Sequence, residues 1–133
     1  MVGDSHVDTQ DIDDIIDLAG RLADAARPVT LAQFRSGIQH ITKSDASPVT
    51  EADQESERTM RAMIEAERPN DGIFGEEFGV TNPDADTVWI LDPIDGTKAF
   101  ITGKPIYGTL IGVVRNGKAI AGVMDGPATA DRW

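Results

Sequence analysis

The sequence contains no cysteine, which excludes disulfides and thiolate metal sites. Basic residues are scarce: 12 Lys and Arg stand against 23 Asp and Glu, for a net charge of −11. A phosphate-backbone partner needs a basic face, so this balance argues against nucleic acid binding. No apolar run approaches the roughly 18 residues that read as a membrane span. Met1 to Gln10 is polar and acidic, without the basic and apolar regions of a signal peptide. A membrane is therefore not an expected partner, and a cytoplasmic location is the default. Histidine is rare too. His6 and His40 sit in ordinary surroundings and read as non-catalytic.

What is present describes a soluble globular protein, with 40% hydrophobic and 26% charged residues. A chain of 133 residues is long enough for one domain with its own core and too short for two. Most of the carboxylates read as solvating. Their summed field means that an anionic substrate needs local help, such as metal ions.

The chain is organised around Trp89 to Phe100, Trp-Ile-Leu-Asp-Pro-Ile-Asp-Gly-Thr-Lys-Ala-Phe. An apolar run from Val88 to Leu91 reads as a buried strand that stops at Asp92-Pro93. Asp95 follows three residues after Asp92, and Gly96-Thr97 precedes a segment able to form a helical turn. Magnesium takes oxygen ligands, usually one or two carboxylates plus substrate phosphate oxygens. Backbone N–H groups at a helix start take the phosphate charge. A strand-ending turn uses the same residue types, and by spacing alone the turn is the better reading. The preceding forty residues shift that balance.

Apolar residues at Ile12, Ile15, Ile16, Ala19, Leu22, Ala23 and Ala26 predict a helix over about 9–27, closed by Pro28 and preceded by a loose leader over 1–8. Leu31 to Phe34 extends this helical region, and Ile38 to Thr42 reads as a short strand. Thr50 and Asp53 have the spacing of a capping box. The helix that follows presents Ala52, Ser56, Thr59, Met60, Met63 and Ile64 on one side and charges on the other, ending near Arg68-Pro69. Asp53 reads equally as a helix-start carboxylate and as a catalytic group. Ile73-Phe74 begins a short buried segment after the Asn70-Asp71-Gly72 turn. Gly75-Glu76-Glu77 follows, and its adjacent glutamates do not belong to an amphipathic helix. They read as surface residues or as site residues. Residues 80–86 form an acidic loop. Tyr107 to Arg115 and Lys118 to Met124 predict two strands joined by Asn116-Gly117, the strongest short hairpin signal. Gly108, Gly112 and Gly122 within them suggest bulges or close backbone approach. After the Asp125-Gly126-Pro127 turn, the sequence ends where a further element is due.

Three stretches in this order carry a resemblance: Pro48-Val49-Thr50-Glu51-Ala52-Asp53-Gln54, Gly75-Glu76-Glu77, and Trp89 to Phe100. Together they resemble the inositol monophosphatase superfamily of metal-dependent, lithium-sensitive phosphomonoesterases, from about residue 12 onward. Lys98 to Pro105 and the following Tyr-Gly-Thr-Leu look most like the histidinol-phosphatases of this fold. The resemblance implies an α+β class: a layered α/β sandwich with an N-terminal helical pair and a largely antiparallel sheet. Family members run to roughly twice this length, so the resemblance implies the N-terminal part of a single domain. A further metal-binding aspartate and most substrate-selecting residues would then lie in the missing C-terminal half. Weak or absent catalysis is expected of the isolated chain.

Carried over by residue, the resemblance implies Mg2+ held by Glu76, Asp92, the backbone carbonyl of Ile94 and Asp95, with Asp92 bridging two ions. Gly96 and Thr97 would offer backbone N–H groups to the phosphate. The Thr97 hydroxyl, paired with Asp53, would orient and deprotonate the attacking water, with Glu76 assisting. Glu76 and Asp95 would also face the substrate, and Glu77 lies in the same motif. The implied reaction is hydrolysis of L-histidinol phosphate in histidine biosynthesis, by a homodimer at full length. The alternatives are inositol-1-phosphate or a 3'(2'),5'-bisphosphate nucleotide as substrate, or a metal-binding fragment without turnover.

Overall fold

A computed structural model describes residues 4–33, 51–95, 108–126 and 131–132. Two helices, α1 (Asp4–Gln33) and α2 (Glu51–Glu67), pack on one face of a mixed sheet. The strands are β1 (Gly72–Gly75), β2 (Gly79–Thr81), β3 (Thr87–Asp95), β4 (Gly108–Arg115), β5 (Lys118–Gly126) and β6 (Asp131–Arg132), in spatial order β2-β1-β3-β4-β5-β6. All neighbours are antiparallel except β1 and β3, which run parallel. The α+β class and the largely antiparallel sheet are as expected. The predicted strand at Ile38 to Thr42, Thr50 of the capping box, and everything from Gly96 to Tyr107 lie outside the described residues.

The long first helix departs from its expected bounds at both ends. It starts at Asp4, inside the supposed leader, and continues past Pro28 to Gln33. Proline removes one intrahelical hydrogen bond and crowds the preceding turn. That cost is local, and packing on both sides of it holds the helix together: Ala26 and Thr30 are fully buried. Thr30 Oγ1 donates to the Arg27 carbonyl at 3.1 Å. The buried stripe is Ile15, Leu18, Ala19, Leu22, Ala23 and Ala26, whereas Ile16, assigned to it from the sequence, is half exposed. This stripe meets Met60 and Ile64 of α2 and Ile73, Trp89, Leu91, Ile111 and Val113 of the sheet.

Period-2 alternation on β3 buries Trp89 and Leu91 and leaves Ile90 exposed, so the apolar run is one-sided rather than buried throughout. Nor does the strand stop at Asp92-Pro93. It continues to Asp95 through a register irregularity against β4 between Asp92 and Asp95, the kind of site where a sheet tolerates proline. Phe74, on the outward face of β1, is likewise exposed. The β4–β5 hairpin turns on Asn116 and Gly117, both at positive φ (50° and 82°), the backbone that this dipeptide favours. A short strand that the sequence did not suggest, β6, pairs back onto β5. No helix among the described residues is long and apolar enough to cross a membrane.

Ion pairs tie the layers together at their edges. Buried Asp125 on β5 accepts from Arg27 of α1 (2.5 Å) and Arg132 of β6 (2.7 Å). Asp11 of α1 accepts from Arg68 at 3.0 Å and from Arg115 of β4. Hydrogen bonding to Arg68 is the largest influence on the Asp11 carboxyl. Burial opposes it and Arg115 adds to it, leaving the pKa below the usual carboxylate value. A carboxylate with a depressed folded-state pKa contributes stability above its unfolded value near 4, lost as pH falls through the lower folded value. Asp11→Asn is therefore expected to be less stable than wild type at pH 7, with the gap closing as pH falls below about 4. Urea unfolding at pH 7 and pH 3 checks this, and a gap that does not change refutes it.

Candidate metal and phosphate site

Strand register, rather than sequence spacing, relates Glu76 to Asp92. β1 and β3 run parallel with Gly75 opposite Leu91. The residues that follow, Glu76 and Asp92, therefore leave the pair at the same end. Glu76 is exposed at the start of a three-residue turn joining β1 to β2, and Asp92 is half-buried. Alternation from Leu91 places Asp92 on the face away from the helices, in a row with Ile90 and beside Leu110 of β4. The backbone of Ile94 and Asp95 continues β3, with Asp95 opposite Gly108.

Asp53 lies in the first turn of α2 and is buried, 7% exposed. It sits one helical turn, about 6 Å along the axis, before Glu57, whose carboxylate reaches the β1–β2 turn. Asp53 therefore lies on the helix side of the sheet, and Asp92 on the opposite face. The side chain of Asp95, with Gly96 and Thr97, lies outside the described residues.

The available donors are carboxylate and carbonyl oxygens, with neither thiolate nor imidazole in the set. This is the chemistry of a hard cation such as magnesium. Among the described residues no three acidic or histidine groups gather into a cage, and of the acidic side chains expected as ligands only Glu76 and Asp92 are described. The donor set fits the ion.

Charges on α2 are where the sequence reading was incomplete. The buried face of that helix includes Asp53, Glu57 and Arg61 beside Ala52, Ser56, Met60 and Ile64, whereas Glu57 and Arg61 fall among the charges expected on the other side. Thr59 and Met63 are only half-buried. Glu57 is fully buried. It accepts the Glu77 N–H on Oε1 and the Phe78 N–H on Oε2, both at 2.9 Å, and Arg61 Nε donates to Oε2 at 2.9 Å. Arg61 also donates to Thr81 Oγ1 at 3.1 Å and to the Gly79 carbonyl. The signal available in the sequence was the acid–base pair at i and i+4, flanking the apolar stripe rather than opposite it.

Comparison with known proteins gives a single family. The inositol monophosphatase family model matches residues 11–133. The chain is similar to the bifunctional phosphatase IMPL2, chloroplastic, of Arabidopsis thaliana, at 44% identity over 131 residues, covering 97% of this chain and 38% of that protein. It is 41% identical over 122 residues to a histidinol-phosphatase of Mycobacterium tuberculosis, covering 91% of this chain and 46% of that one. Among solved structures, an inositol monophosphatase from Zymomonas mobilis superposes with a TM-score of 0.78 at 48% identity, over 91% of this chain and 46% of that chain. The chain spans less than half the length of these relatives.

Proposed function

The chain belongs to the inositol monophosphatase family, and on that premise we propose that it forms the metal-binding and phosphate-binding half of a phosphomonoester hydrolase. The observation that carries the reading is the parallel register of β1 and β3, which sends Glu76 and Asp92 out at one end of the sheet. With the Ile94 carbonyl and Asp95 they would hold magnesium. Bound there, magnesium supplies a water of lowered pKa and neutralises charge on the phosphate oxygens.

The remaining work falls to the chain. Gly96 and Thr97 offer N–H groups to the phosphate, as chain turns and helix starts do. The Thr97 hydroxyl accepts or passes on the proton of the attacking water, and Asp53 holds that hydroxyl in orientation. Transfer of a phosphoryl group to water depends chiefly on positioning and electrostatic stabilisation, so no covalent nucleophile enters the scheme. In a chain of net charge −11, these local groups must overcome an unfavourable general field.

L-Histidinol phosphate is the substrate we favour. The support is the similarity to histidinol-phosphatases of several organisms, at 39–43% identity. Inositol-1-phosphate is the second reading, supported by the Zymomonas mobilis structure. A cytoplasmic homodimer is part of the same proposal and rests on the family alone.

The test is phosphate release by the intact protein from L-histidinol phosphate, inositol-1-phosphate and a 3',5'-bisphosphate nucleotide, with magnesium and with chelator. We expect kcat/KM at least tenfold higher for histidinol phosphate, and no release once the metal is chelated. Preference for inositol-1-phosphate would transfer the assignment to the second reading. Release from none of the three refutes the hydrolase reading. The 133 residues alone are expected to bind magnesium weakly and to hydrolyse little.

A further inference from the structure

Glu57 lies outside the set of groups that touch metal or phosphate, yet it is a fully buried acid with a definite task. A carboxylate is costly to bury unless it is paired and hydrogen-bonded. Here Arg61 pairs with it, and both oxygens take backbone N–H groups of the turn that carries Glu76. A turn that only had to close could leave those N–H groups to water.

The N–H of Glu77 belongs to the peptide plane joining Glu76 to Glu77. Fixing it fixes the backbone on the C-terminal side of Glu76. On the N-terminal side, Gly75 is locked to Leu91 of β3. Gly75 is also pressed against the Glu57 carboxylate, so that a Cβ added there would overlap it. The far end of the turn is held by Arg61 on the Gly79 carbonyl, with Gly79 at φ 77°. Glu76 is itself exposed, so its aim follows from its clamped backbone.

We propose that Glu57 is a positioning residue, which with Arg61 and the bare Cα of Gly75 sets the direction of Glu76 at the metal site. The proposal rests on the hydrolase reading and adds to it a residue that never touches the metal. Supporting groups of this kind typically change metal affinity 10–100-fold when they are altered.

The test uses Glu57→Gln and Gly75→Ala in the intact protein, with Glu76→Gln as reference. Magnesium affinity is read by calorimetric titration, beside kcat and KM at saturating magnesium and the Tm of each variant. In both variants magnesium affinity should fall by about tenfold or more. At saturating magnesium, KM for the phosphomonoester should move less than about threefold, and kcat should recover toward wild type. Gly75→Ala displaces the carboxylate without removing it, so it decides the matter if Glu57→Gln does not fold. Amide exchange in the wild-type protein needs no variant: the Glu77 and Phe78 N–H groups should exchange slowly for an exposed turn and more slowly with magnesium.

A lowered Tm with magnesium affinity within twofold of wild type would make Glu57 merely structural and overturn the proposal, as would fast exchange at Glu77 that ignores magnesium. If Glu76→Gln also left magnesium binding unchanged, it is the hydrolase reading that fails. If Glu76→Gln abolished binding while the other two variants did not, the positioning role alone fails.

Discussion

Asp92→Asn in the intact protein is expected to lower phosphate release by roughly a thousandfold while leaving its Tm within a few degrees of wild type. The substitution is isosteric, and its position explains the split. Core contacts on this strand belong to Trp89 and Leu91, which are buried on the helix side. Asp92 lies half-buried on the other face, past the last residue of the parallel pairing. An amide keeps one oxygen toward a cation but gives up the negative charge that a carboxylate ligand would contribute. Metal assistance in hydrolysis is worth several kcal/mol, and about 4 kcal/mol corresponds to three orders of magnitude in rate.

The sign of this effect separates two electrostatic accounts. If only the general field mattered, neutralising one carboxylate of a strongly acidic chain would ease the approach of an anionic substrate and raise kcat/KM. Asp84→Asn, in the exposed acidic loop, is the control and should leave the rate unchanged or slightly higher. Activity of Asp92→Asn within twofold of wild type would refute its place in the site.

Local elements were legible in the sequence because periodicity and turn chemistry are local. The α2 boundary before Arg68, the Asn116-Gly117 hairpin and the strands beside it follow from rules of spacing. Pro28 misled because the local cost of an interior proline was outweighed by burial of Ala26 and Thr30 on either side of it. That Glu76 and Asp92 leave the strand pair at the same end is a long-range matter. It depends on β1 lying parallel to β3 rather than antiparallel, and no pattern within either segment specifies that. Only the family resemblance names the two residues together. Glu57 escaped for another reason: a charge was assigned to solvent by default, although an acid and an arginine four residues apart can be buried together when each satisfies the other.

Trp89→Ala should destabilise the fold by about 3–5 kcal/mol, the range for removing a large buried aromatic side chain. Trp89 is the largest fully buried side chain, on a strand flanked by β1 and β4 and covered by both helices. Its ring fills the junction of the layers, and its indole N–H donates to Asp71 Oδ2 at 2.9 Å. Asp71 is also held by Arg68, which reaches Asp11 on α1, so one bond from the core joins the edge network. Trp89→Phe distinguishes the two contributions. Phenylalanine keeps most of the packing and leaves Asp71 with Arg68, so its cost should be nearer ~1–2 kcal/mol, as for a modest cavity plus one hydrogen bond. Against a total stability of about 5–15 kcal/mol, the alanine variant loses a large share of the margin while the phenylalanine variant stays folded. Urea midpoints at unchanged m-value are the measurement. An alanine variant less than about 1 kcal/mol below wild type would mean that the layers are held by the edge ion pairs rather than by the core. At the Asp11 edge the geometry argues against that outcome: Arg68 and Arg115 both converge on a single partly exposed carboxylate, and ion pairs with access to solvent contribute little on their own.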